Sequence, residues 1–328
     1  MSFFLNIVIS CGFLLATAVS AYAERDGVVV SIKPLHSLVS AVMEGVGEPS
    51  LIVQGAGSEH VYSLKPSDAE ALQNAKVIFW AGPAMENFLA KSIETLGEGA
   101  QVYPLVETPN LKLLNLREGG PFEAHDHSEN HEEPVNAHGN NTHAHDSDRA
   151  VHHEHQEYDL HFWLDPENAK IVLYEIARVL SKSDPAHATQ FADNAKNYAQ
   201  RLDALTKDVT AELSPIRGKP FIVFHDAYQY FENRFGLTVA GSITVSPEKA
   251  PGAARIKEIR EKVKALGATC VFAEPQFEPR IIDTIIEGTP AKVGILDPLG
   301  SELENGPNLY IELIRNLAES LTSCLNDQ

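Results

Sequence analysis

The chain has 328 residues, 44% hydrophobic and 22% charged, with 26 Lys+Arg against 45 Asp+Glu and a formal net charge of −19. An apolar content near the globular average excludes a disordered or collagen-like chain, and the length suits roughly two domains that can each bury a core. The negative charge repels phosphates and anionic lipid, which argues against nucleic-acid or membrane-surface binding.

Residues 1–23 form an uncharged apolar run closed by Ala21-Tyr22-Ala23 and followed by Glu24-Arg25-Asp26. A small-x-small site after an apolar core predicts a cleaved secretory signal, although no Lys or Arg opens it; a retained anchor is the alternative. Val8-Ile9-Ser10-Cys11 also resembles a lipoprotein box, with Cys11 the lipidation position. From residue 24 onward, short β-branched runs alternate with helical patterns. Strands are expected at 28–32, 51–53, 77–80 and 102–103, and helices at 35–46, 66–75 and 84–96, which predicts a parallel α/β sheet.

Residues 117–157 interrupt that pattern with His, Asp, Glu, Asn and Gly and almost no aliphatic side chains. Such a composition cannot build a core and reads as one long loop. Regular structure resumes at Tyr158, and Asp165-Pro166-Glu167 opens a helix through 180. Ser183-Asp184-Pro185 opens another, in which Phe191, Ala195, Tyr198, Leu202, Leu205, Val209 and Leu213 recur every three or four residues. A helix of that length spans on the order of 40 Å and reads as a rigid strut. Beyond it the alternation returns, with strands at 220–224, 237–240, 269–272 and 291–296 and helices at 227–235, 253–266, 279–287 and 308–324. The expected architecture is two parallel-sheet α/β lobes, 24–183 and 215–328, joined by a linking helix at 184–214.

Ligands of parallel sheets bind beyond the carboxyl ends of the strands, so polar residues there carry the candidate chemistry. Glu59-His60 follow the second strand, His161 lies just before a helix cap, His225 ends 220–224 with Asp226 next, and Asp297 follows 291–296. Three His with one carboxylate make a tetrahedral zinc set, and neutral imidazoles favour Zn²⁺ over Mn²⁺ or Mg²⁺. Any one of these His taken alone reads more readily as a hydrogen-bonded structural residue. Their coincidence at strand ends favours a metal site in the cleft between lobes. His36 falls within a helical pattern and is assigned a structural role.

Nine of the 14 His crowd into the long loop: His125, His127, His131, His138, His143, His145, His152, His153 and His155. Without a rigid framework they form an auxiliary metal loop of modest affinity, or only a solvated acidic linker. After signal removal two cysteines remain, Cys270 and Cys324, in an oxidising compartment. They form either a tertiary bridge or two buried thiols.

Five motifs in order carry a resemblance. They are Gly57-Ser58-Glu59-His60-Val61-Tyr62 running on to Asp68, His161-Phe162-Trp163-Leu164-Asp165-Pro166, Phe224-His225-Asp226-Ala227-Tyr228, Ala273-Glu274-Pro275-Gln276-Phe277 and Leu296-Asp297-Pro298-Leu299-Gly300. Together with the His-rich insertion they resemble the zinc-binding periplasmic proteins of bacterial ABC uptake systems (ZnuA-like), over the whole chain after the signal. The resemblance implies a monomeric receptor of two lobes that binds Zn²⁺ between them and delivers it to an ABC permease at the inner membrane. Family ligands carry over onto His60, His161 and His225. Glu59, a water or Asp297 is the fourth ligand. Manganese-binding relatives place a carboxylate where this chain has His225, and zinc-type relatives pair cysteines at the positions of Cys270 and Cys324.

Two other function classes remain open on residue grounds. Three His with an open fourth position could activate water in a zinc hydrolase, with Glu59 or Asp226 as base. A metal buffer or chaperone could work mainly through the His-rich loop. The sequence has no P-loop, G-x-S-x-G, H-E-x-x-H or G-x-G-x-x-G after a strand. No oxyanion motif supports hydrolysis, and a buffer has no need of two lobes and a strut.

Overall fold

Three consecutive valines, Val28–Val30, form β1, buried on both faces as the inner strand of a parallel sheet must be. Its neighbours are β2 (Ser50–Leu51), β3 (Val77–Trp80) and β4 (Gln101–Pro104), all parallel, in the order β2-β1-β3-β4. The computed structural model describes residues 27–117, 122, 158–244, 251–267, 269–277 and 280–326. The expected signal with Cys11, and all nine His of the loop, lie outside the described residues.

The crossovers of this lobe are α1 (Lys33–Val42), α2 (Pro66–Gln73) and α3 (Asn87–Leu96). Proline stands in the first turn of α1 and α2, where a missing N–H is harmless, and Asp68 accepts the Lys65 amide at 2.8 Å. α3 starts later than expected. Glu86 folds back onto the amides of Ala81 and Gly82, at 2.7 and 3.2 Å, and turns residues 81–86 into a loop. A short antiparallel ribbon follows, β5 (Leu114–Asn115) with β6 (Tyr158–Asp159), which brackets the long insertion.

α4 (Pro166–Ser183) is capped by Asp165, whose carboxylate accepts the Glu167 amide at 2.9 Å. The linking helix α5 covers Ala188–Leu213, 26 residues or about 39 Å. Every member of its expected stripe is buried, together with Ala199. The second lobe is built from β7 (Pro220–His225), α6 (Gln229–Phe235), β8 (Thr238–Thr244), α7 (Ala253–Leu266), β9 (Cys270–Ala273), α8 (Arg280–Ile286), β10 (Lys292–Ile295) and α9 (Leu309–Leu325). Its sheet is parallel, in the order β10-β9-β7-β8.

The two lobes do not bury separate cores, contrary to the simplest expectation from length. One cluster runs from Val28 to Leu325 through α1, α4, α5 and α9, and a smaller one around Ile222, Ile243, Ile259 and Ile285 belongs to the second lobe alone. α5 therefore packs against α1, α4 and α9 as a central layer and is not a free-standing strut. Polar contacts repeat the connection. Lys33 donates to the carbonyls of Ser301 and Leu303 at 2.8 and 2.7 Å, Trp163 Nε1 to that of Pro298 at 2.9 Å, and Tyr310 Oη to that of Trp163 at 2.6 Å. Cys270 and Cys324 are joined in a disulfide, Cα atoms 6.2 Å apart, which ties α9 to the start of β9.

Candidate metal centre

Each lobe sends its strand ends to one point. The loop after β2 carries Glu59 and His60. β6 runs into the turn bearing His161, and β7 ends on His225. One ligand atom from each of Glu59, His60, His161 and His225 lies within 4.8 Å of the others. Glu59 and His225 are 1% exposed and His161 6%, whereas the His60 side chain retains 16% and forms the more open side.

The distances suit a tetrahedral ion. Two bonds of ~2.0–2.1 Å at the tetrahedral angle hold their nitrogens ~3.3–3.4 Å apart. His161 Nε2 and His225 Nε2 are 3.3 Å apart. Glu59 Oε1 stands 3.7 Å from His161 Nε2 and 3.8 Å from His60 Nε2, and it has no hydrogen-bond partner despite full burial. A buried carboxylate oxygen without a donor is costly to maintain, and a cation in the cluster would satisfy it.

Two further carboxylates orient the rings. His161 Nδ1 donates to Asp159 Oδ1 at 2.7 Å, and His225 Nδ1 donates to Glu274 at 2.7 and 2.8 Å. Because a carboxylate only accepts, each ring holds a proton on Nδ1, so that in its neutral, metal-binding form the Nε2 lone pair faces inward. Tyr228 Oη donates to the same Glu274 at 3.2 Å. Burial opposes charge on His161, yet Asp159 and Glu59 raise its pKa to about 10. Burial likewise opposes charge on His225, but Glu274 raises its pKa above the ordinary value. Burial favours a neutral Glu59, but the His161 imidazole beside it and the charges of His60 and His225 bring it down to about 2. The carboxylate is thus ionised, and a cation would take the place of the His161 Nε2 proton beside it.

The family model described as "Zinc-uptake complex component A periplasmic" matches residues 28–324. The chain belongs to this family. The "High-affinity zinc uptake system protein ZnuA" of Brucella suis is 63% identical over 328 residues, covering 98% of each chain. The protein of the same name from Yersinia pestis is 37% identical over 299 residues, 91% of each. The periplasmic zinc-binding protein TroA from Treponema pallidum shares the fold, with a TM-score of 0.71 at 18% identity over 91% of this chain and 98% of its own.

Not every sequence candidate joins the cluster. Asp297 accepts the amides of Leu299, Gly300 and Ser301 at 3.1, 3.0 and 2.6 Å, the Ser301 hydroxyl at 2.7 Å and Gln276 Nε2 at 2.8 Å. Its carboxylate shapes the 297–301 turn, whose Ser301 carbonyl meets Lys33, and it is outside the group of four. Asp226 turns away from the cluster to Arg117. His36 lies buried in α1, its Nε2 on the Pro49 carbonyl at 3.0 Å and its Nδ1 3.4 Å from Ser40 Oγ, as a structural histidine would be. The orienting role of Asp159 escapes sequence reading, since nothing in spacing distinguishes it from the other acids nearby. Glu274 follows β9 directly, so the strand-end rule that selects His225 also reaches it.

Proposed function

We propose that this chain is a periplasmic receptor that binds Zn²⁺ through Glu59, His60, His161 and His225 and hands it to an ABC-type permease. The observation that carries this reading is the convergence of four inward-facing donors from both lobes. Glu59 completes the set beside three imidazoles. That makes a closed four-protein-ligand site, whereas catalytic zinc keeps one position for water. The protein therefore binds its cargo without transforming it. Three imidazoles against one carboxylate select zinc over manganese. Residues 1–23 are the leader for export, and no helix among the described residues is long and apolar enough to cross a membrane. The nine loop His add weaker sites of poor selectivity.

Competition titration of chelator-stripped protein, with and without residues 118–157, tests the whole reading. The expected result is one tight zinc in both forms, extra weak zinc only with the loop, and manganese unable to displace the tight ion. Loss of tight binding on loop deletion, or its persistence in His60→Ala, His161→Ala and His225→Ala, would overturn it.

A further inference from the structure

One side chain that joins the two lobes beside the cluster is Arg117, which no ligand argument uses. It stands two residues beyond β5, whose partner β6 runs into His161 through the pairs Leu114 with Asp159 and Asn115 with Tyr158. Its guanidinium reaches across to the second lobe. Nε donates to Asp226 Oδ2 at 3.0 Å and Nη2 to Asp226 Oδ1. Nη1 and Nη2 donate to Glu232 Oε2 and Oε1 at 3.1 and 2.8 Å. Asp226 is the residue after His225, and Glu232 is in α6, anchored in turn to the Val239 amide at 3.0 Å. The guanidinium also lies 4.1 Å from the Phe122 ring centroid.

The ribbon is held to α6 by uncharged bonds as well. Tyr230 Oη accepts the Leu114 amide at 3.0 Å and donates to the Asp159 carbonyl at 2.6 Å, and Gln229 donates to the Asn115 carbonyl at 3.0 Å. These bonds fix the ribbon against the helix, but none reaches the turn that follows His225. Among the described residues, only Arg117 grips that turn from the lobe of His161. Without it Asp226 and Glu232, side chains 12% and 8% exposed, would face each other with no countercharge among the described residues. Two such carboxylates repel, and the residue that moves most easily is the one next to His225.

We infer that Arg117 is a positioning residue: by clamping Asp226 it fixes His225 against His161 before zinc arrives, and so slows zinc release. This rests on the proposed reading that both His ligate zinc. A planar fork suits the task, since it engages two carboxylates at once and sets their angle, which a lysine ammonium cannot do.

The test is zinc dissociation into excess chelator, measured by stopped flow at fixed pH on full-length wild type, Arg117→Ala, Arg117→Lys, Asp226→Asn and the double variant Arg117→Ala/Asp226→Asn. Loss of a group that orients a metal ligand typically weakens metal binding about 10–100-fold. Arg117→Ala should release zinc faster by a factor in that range, Arg117→Lys should recover part of the loss, and the double variant should be no faster than Arg117→Ala alone. The visible absorption of bound Co²⁺, which follows ligand geometry, should shift in Arg117→Ala and not for a purely scaffolding residue. Wild-type release and Co²⁺ spectrum in Arg117→Ala, even with a lowered melting temperature, would overturn the inference. If Arg117→Ala fails to fold, wild-type rates in both Arg117→Lys and Asp226→Asn would do the same. Wild-type protein that retains no zinc in this assay would instead refute the receptor reading itself.

Discussion

At the scale of single residues, the cluster is shaped as much by side chains outside it as by its four members. Asp159 and Glu274 decide which nitrogen of His161 and His225 faces inward, and Arg117 bonds to Asp226 in the turn that follows His225. Asp159→Asn keeps the shape of the side chain but removes the charge that fixes the Nδ1 proton. It should weaken zinc about 10–100-fold by competition titration while leaving the melting temperature of metal-free protein within a few degrees. An unchanged affinity would show that the His161 ring is held by packing against Trp163, at 5.3 Å between centroids, and not by the carboxylate. His36 gives a prediction remote from the metal. Burial lowers its pKa below the ordinary 6.5, with the Pro49 carbonyl pulling the other way and Lys33 adding to the fall. The fold therefore prefers neutral His36. Its contribution is complete above pH ~6.5 and is lost as pH falls from there through the folded-state value, because the unfolded chain takes up the proton first. In metal-free protein the stability advantage of wild type over His36→Gln should shrink between pH 7.5 and pH 5. A difference independent of pH would contradict it.

At the scale of elements, the amphipathic helices were the most legible parts of the sequence. The α5 stripe from Phe191 to Leu213 is buried residue for residue, because a 3.6-residue period leaves only one face that can be dry. Leu202 sits in the middle of that stripe and is fully buried. Leu202→Ala should cost about 2–5 kcal/mol in denaturant unfolding and leave zinc affinity unchanged, since α5 supplies no ligand. A matching loss of affinity would mean that α5 transmits strain to the cleft. Boundaries were less legible where side chains redirect the chain. α3 begins at Asn87 because Glu86 binds back to two amides, a contact that no propensity encodes. The strand-end rule located Glu59, His60, His161 and His225 because parallel sheets present their C-terminal edges to one cleft. It also selected Asp297, whose carboxylate is consumed by its own turn. Whether a strand-end acid faces a ligand or its own backbone depends on loop geometry that lies beyond residue order.

At the scale of the whole molecule, a continuous core and a lattice of bonds from Lys33, Trp163 and Tyr310 bind the lobes together. Periodicity shows that a helix face is buried but not against which partner, so the shared core could not be read in advance. The disulfide closes a separation of 54 residues between β9 and α9. In the chain-entropy account such a loop contributes about 4 kcal/mol, so the double variant Cys270→Ser/Cys324→Ser should unfold at clearly lower denaturant. Denatured, unreduced wild type should show no thiol from this pair.

The central claim is that one zinc ion lies between the lobes, held by Glu59, His60, His161 and His225. An anomalous difference map from crystals grown with one equivalent of zinc, recorded at the zinc edge, tests it most directly. One dominant peak is expected ~2.0–2.2 Å from the Nε2 atoms of the three imidazoles and from a Glu59 oxygen. A dominant peak anywhere else, or one bonded to Asp297 with Glu59 turned away, would contradict it.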